Sequence, residues 1–186
     1  MPCTDGITLD IVSDCSNSGV GGLEVTAWII QRKSLTITYN GTVLNKITGL
    51  ANVAPAVAYT IKGVKQLFNS GHEIVSAIDR PDKFAHYFNF EQFEKESAKR
   101  LNVDDIDDVV VIVESKDKLS TSSTFFVLGA KNGLWVTTDS QKANDANGSR
   151  KIQLKSLAGQ EEPYSAYTLA AGSYSANLAV LTGLLN

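Results

Sequence analysis

Apolar residues recur along this chain at two kinds of spacing, and the contrast between them predicts the elements. In Val109-Val110-Val111-Ile112-Val113 every position is apolar, the pattern of a strand covered on both faces. Before it, Asn89 and Gln92 have the spacing of a capping box. Glu91, Glu94 and Glu96 fall in the early turns and Lys99 and Arg100 in the last, the charge order that a helix dipole favours. Phe90, Phe93, Ser97, Ala98 and Leu101 lie near one stripe, so the spacing predicts a helix over Phe90 to Leu101, with Phe93 resting on the sheet that carries Val111.

Elsewhere the period is two. Val25, Ala27 and Ile29 alternate with Thr26, Trp28 and Ile30, which predicts a strand over residues 24–31. Leu35, Ile37 and Tyr39 alternate with Thr36 and Thr38, and Asn40-Gly41 reads as a type I′ turn into a returning strand over 42–47. A second hairpin is predicted between residues 124–128 and 134–138, turning at Asn132-Gly133. Residues 59–64, 73–78 and 151–157 read as further strands, with Asn69-Ser70-Gly71 a turn and Arg80-Pro81-Asp82 a break. Residues 51–58 read as a loop or short strand around Pro55, and 114–123 and 139–149 as polar loops. The fold class expected is mainly β: a β-sandwich or partly closed β-barrel with one flanking α-helix and extended N- and C-terminal arms.

The arms follow from composition. Residues 1–22 are rich in Gly, Ser, Asp and Asn and end in a glycine hinge, yet Ile7, Leu9, Ile11 and Val12 are placed as an added strand would place them. Residues 164–186 carry no charge at all, so they are expected to dock, best on a neighbouring subunit. Between them, residues 23–163 form the expected β-domain with its one helix.

At 186 residues the chain is long enough to bury a core without staples. Its net charge of −3 argues against a basic nucleic-acid-binding face. Its first residues lack the basic and apolar regions of a signal peptide, and no apolar run reaches the ~18 residues of a membrane span. A soluble product made in a cytosol, with no membrane partner, is the expectation.

Candidate chemistry is sparse. Cys3 and Cys15 read first as plain thiols and second as a disulfide stapling the N-terminal loop. Zinc is improbable, because His72 and His86 are distant in sequence from both. His86, among Phe84, Tyr87 and Phe88, reads as a structural histidine rather than a catalytic base. Asp104, Asp105, Asp107 and Asp108 lack the ligand spacing of an EF-hand, so a solvated turn is preferred over a weak Ca²⁺ site. The sequons at Asn40 and Asn147 read as turn chemistry. There is no phosphate-binding loop and no nucleophile elbow, so no catalytic, cofactor-binding or metal-binding residue is assigned and no enzyme is expected.

With its early hairpin across Asn40-Gly41, a helix running into Val109 to Val113, a late hairpin across Asn132-Gly133 and a last strand over residues 152–157, the region Gly22 to Gly159 resembles the tail tube proteins of tailed bacteriophages. It resembles more distantly the tube proteins of contractile injection systems. The opening with Cys3, Gly6-Ile7, Cys15 and Gly21-Gly22 also looks like small structural proteins of phages of Bacteroidetes-type bacteria. The resemblance implies self-association into hexameric rings that stack into tubes, contacts with other tail proteins, and DNA passing through without sequence-specific binding. It implies a place in the virion tail, reached after assembly in the host cytoplasm. Two other classes stay open: a head decoration or other capsid accessory protein, and a carbohydrate-binding or adhesin sandwich using Trp28, Trp135 and Tyr39 as platforms.

Overall fold

Val109, Val111 and Val113 look one way from their strand and Val110 and Ile112 the other, and the two sets end in different hydrophobic cores. The computed structural model describes residues 22–63, 67–92, 103–116, 124–141 and 149–185. These form β1 (Leu23–Gln31), β2 (Leu35–Tyr39), β3 (Lys46–Asn52), β4 (Tyr59–Lys62), β5 (Asn69–Ala77), β6 (Arg80–Gln92), β7 (Val109–Ser115), β8 (Phe125–Leu128), β9 (Trp135–Gln141), β10 (Arg150–Lys155), β11 (Tyr167–Leu169) and α1 (Tyr174–Gly183). A single 3-10 turn, Arg32–Ser34, joins β1 to β2.

Seven strands make one sheet in the order β2-β3-β11-β8-β7-β1-β4, and four make a second, β5-β6-β10-β9. Neither closes into a barrel, so the mainly β, two-sheet expectation stands in its open form. One face of the larger sheet offers Ala27, Ile29, Val109, Val111, Val113 and Leu128 to Phe88, Phe90, Ile152 and Leu154 of the smaller. Its other face offers Trp28, Ile30, Val110, Ile112, Phe125 and Val127 to Leu181 and Leu184 at the C-terminal end of the chain. The continuous apolar run of β7 therefore reflects three layers: the small sheet, the large sheet and α1.

The covering helix is not the one expected. Phe90, Glu91 and Gln92 are the last residues of β6, opposite Ile152, Lys151 and Arg150, and Asn89 is paired with Gln153 instead of capping a helix. Phe88 and Phe90 share one face of the strand and stack with centroids 5.6 Å apart in the inter-sheet core, so period two wins over the capping signal. The remainder of that expected helix, residues 93–101, lies outside the described residues, as do Cys3, Cys15 and the N-terminal arm.

The C-terminal segment is likewise no extended arm docked on a neighbour. β11 occupies the middle of the large sheet, parallel to β3 and antiparallel to β8, and Tyr167, Leu169, Leu181 and Leu184 are buried. Without charges to keep it in water, the segment fills the subunit's own core. Ser173 caps α1 by accepting from the Ala176 amide, and Asn177 ties the helix down by donating to the Leu169 carbonyl and accepting from the Ala171 amide.

Both expected Asn-Gly hairpins differ in detail. β2 and β3 do pair, but through a six-residue connection in which Asn40 Oδ1 accepts from the Thr42 and Val43 amides, an Asx turn rather than a type I′ turn. β8 and β9 do not pair at all: β8 lies in the large sheet and β9 in the small one. The turn at Asn132-Gly133 is a crossing between layers. Asn69-Ser70-Gly71 is part of β5 and Arg80-Pro81-Asp82 part of β6, the two strands turning at Ile78 and Asp79.

Candidate assembly edges and a buried polar joint

Strand ladders leave one side of every outermost strand without backbone partners, and those groups are the natural seat of association. Among the described residues the outermost strands are β2 and β4 in the large sheet and β5 and β9 in the small sheet. Tyr59 on β4 is 69% exposed and Ile74 on β5 is 59% exposed.

The β5–β6 hairpin adds a projection. β10 pairs only with Tyr87 to Gln92 of β6, whereas β5 follows β6 from Asn89 back to Arg80. A bridge between Phe84 and Glu162 gives the last support. Among the described residues the hairpin beyond Phe84 is a two-stranded ribbon; five residues at about 3.3 Å each carry it roughly 16 Å outward. Its tip holds Ile78, fully exposed.

At the other end of β6 lies a cleft of about 840 Å³, floored by Ile29, Ile61, Phe90, Val103 and Ile106 and rimmed by Glu91 and Asp105. The outermost strand β4, paired only with β1 among the described residues, forms one of its walls.

Where the chain crosses from β8 to β9, a polar joint is sealed between the sheets. His86 on β6 is completely buried; its Nε2–H donates to the Tyr164 carbonyl at 2.9 Å, because Nδ1 is taken as acceptor by the Gly129 amide at 3.2 Å. Burial drives its pKa down to about 4, against the smaller upward pull of the bond to the Tyr164 carbonyl. Glu162, also completely buried, accepts from the Lys131 and Asn132 amides and from the Tyr167 hydroxyl. Burial raises its pKa, and the Asn132 amide, the Tyr167 hydroxyl and the Lys131 amide pull against that rise. Tyr39, half-buried beside them, is pushed up to about 12 by burial and by the Glu162 charge. The Lys131 ammonium lies 5.9 Å from the centre of its ring.

The turn that bears these amides is held at both ends by glycine. Gly129 and Gly133 have φ of +70° and +80°, and a Cβ on Gly133 would collide with Asp108 Oδ1. Asp108 in turn receives both Nε and Nη2 of Arg32, at 2.7 and 2.9 Å.

The other candidates from the sequence are scattered. Asp104 joins Asp139 on the Arg150 guanidinium while Asp108 faces Arg32, so these two aspartates point to different partners. Trp28 is buried edge-on to Phe125, Trp135 is on the other sheet and Tyr39 on β2, so the three aromatics make no common sugar platform. His72, exposed on β5 opposite His86, lies edge-on to Phe84. Glu162 escaped the sequence reading because Gln160-Glu161-Glu162-Pro163 has the composition of a solvated turn. The one signal for His86 was its place in an aromatic strand.

Compared with protein-family models, curated proteins and solved structures, the chain matches none.

Proposed function

We propose that this chain is a virion structural subunit, a tail tube protein whose copies close into hexameric rings that stack as a conduit for the genome. The observation that carries the reading is that, among the described residues, each sheet ends in open edges and the β5–β6 ribbon holds Ile74 and Ile78 in water. An isolated two-sheet domain with such edges is a template for added strands, and a ring of identical copies satisfies them edge to edge. Six-fold symmetry and stacking come from the resemblance over Gly22 to Gly159. The excess of acidic over basic residues, 20 against 17, suits a lumen that lets DNA slide instead of holding its phosphates. No catalytic role goes to the polar joint, whose His86 and Glu162 are sealed from solvent and already hydrogen-bonded.

Size-exclusion chromatography with light scattering over a concentration series tests the reading. The expected result is a mass that climbs from monomer towards ring-sized species, and a monomer mass at every concentration contradicts it. A head decoration protein, the second reading, is expected to bind a preformed shell and to give no open-ended tubes.

A further inference from the structure

His86 ties three separate stretches together through one ring: β6, which carries it, the turn at 129–133, and the strand entry at Tyr164. Only the bond from Gly129 requires the neutral ring; the Nε2–H bond to the Tyr164 carbonyl survives protonation. Nδ1 can accept from the Gly129 amide only while it bears no proton; once protonated, two N–H groups confront each other at a distance that suits only a hydrogen bond. The ring has no room to settle elsewhere, since it is completely buried and lies edge-on to Tyr167, 6.0 Å between centroids.

The groups around His86 do not offset that charge. His72 faces it directly from β5 and adds like charge when protonated. Tyr167, edge-on to Tyr164, and behind it Tyr39 stay neutral phenols at acid and neutral pH, both shifted upward by burial. Lys131 is cationic. Glu162 is the one carboxylate among these groups, and acid neutralises rather than strains it. Protonated at Oε2, it still offers Oε1 to the Lys131 and Asn132 amides and turns its new O–H towards the Tyr167 hydroxyl.

We infer that His86 is an acid-sensitive latch on the joint between the two sheets: a proton on Nδ1 expels the Gly129 amide and frees the turn at 129–133, while the strand ladders on either side hold. The turn is the only part of this joint whose grip depends on a proton-free ring nitrogen. What it carries is substantial, because it connects β8 of the large sheet to β9 of the small one. The inference is independent of any assembly, and a monomer tests it equally well.

The experiment is native-state amide exchange by NMR on the full chain from pH 7 to pH 4, with rates corrected for the intrinsic pH dependence and repeated in low urea. The opening constant of the Gly129 amide is expected to rise by up to about tenfold per pH unit below pH 6.5. That opening should be indifferent to urea, as a local event is, while the Ile112 amide in the core opens only with global unfolding. In His86→Asn, whose side-chain oxygen can accept from Gly129 and does not titrate, the rise should vanish. A Gly129 opening constant that is flat with pH, or that follows urea as Ile112 does, overturns the latch. So does an unchanged pH response in His86→Asn. Should that variant not fold, the wild-type pH and urea series decides by itself.

Discussion

His86 and Gly129, 43 residues apart in the chain, meet where the Gly129 amide donates to His86 Nδ1 at 3.2 Å, and this bond joins the small sheet to the end of β8 in the large one. The ring that makes it stays neutral well below the ordinary histidine range, with a pKa of about 4 instead of 6.5. The unfolded chain therefore binds the proton more readily. The contribution of His86 to stability is complete above pH 6.5 and is lost as pH falls towards 4, about 3 kcal/mol over the whole interval.

Glu162 works in the opposite sense. Its folded pKa is raised, so its contribution is present below the ordinary value of 4.5 and is lost as pH rises through the folded value. The two slopes partly cancel in the wild type. Urea melts from pH 4 to pH 7 are expected to give a steeper loss of stability on acidification for Glu162→Gln than for the parent, since of these two opposing contributions the histidine's alone remains. A shallower slope in the variant contradicts this assignment.

Tyr167→Phe removes the hydroxyl that donates to Glu162 Oε2 at 3.1 Å inside a sealed core. Losing a hydrogen bond to a buried carboxylate should cost about 1.5 to 3 kcal/mol at neutral pH, read from the same melts. A change under about 0.5 kcal/mol would mean that water or another donor reaches the carboxylate.

Removing residues 164–186 should abolish the cooperative melt. Tyr167, Leu169, Leu181 and Leu184 are at most 1% exposed, and burying such side chains contributes about 1.5 to 3 kcal/mol each. Four lost together approach the whole stability of a domain, about 5 to 15 kcal/mol. A truncated chain that still melts cooperatively would place β11 and α1 outside the subunit's core.

How much of this was legible depends on how local the deciding force was. β7 was readable because three layers demand an apolar side chain at every one of its positions from Val109 to Val113. β2 and β10 were readable because each alternates against a single core, and β1 because, like β7, it carries apolar residues to both. β11 was not: three residues in an Ala, Ser and Tyr background have no period of their own, and the neighbours β3 and β8 select them. The same non-local effect moved the turn at Asn132-Gly133. Positive φ at Gly133 was correctly implied by the dipeptide, but the direction of the outgoing strand was set by the bonds of Lys131 and Asn132 to Glu162, thirty residues on. For the joint, the sequence offered a histidine among aromatics and a glutamate in a polar turn, and only the packing of two sheets brings them to one turn.

The projecting ribbon separates folding from assembly. Ile78 is fully exposed, so Ile78→Asp should leave the melting temperature within the range of a neutral surface change, about 0.5 kcal/mol, while lowering the mass measured by light scattering at high concentration. Unaltered association in this variant would move the contact to the edges of β2, β4 and β9.

Whether copies of this chain complete one another's sheets, as proposed, is read directly by negative-stain electron microscopy of the concentrated protein. The expected images show closed rings, stacked into tubes as concentration rises. A field of single particles of about 20 kDa, with no ring or tube at any concentration, would contradict the proposal.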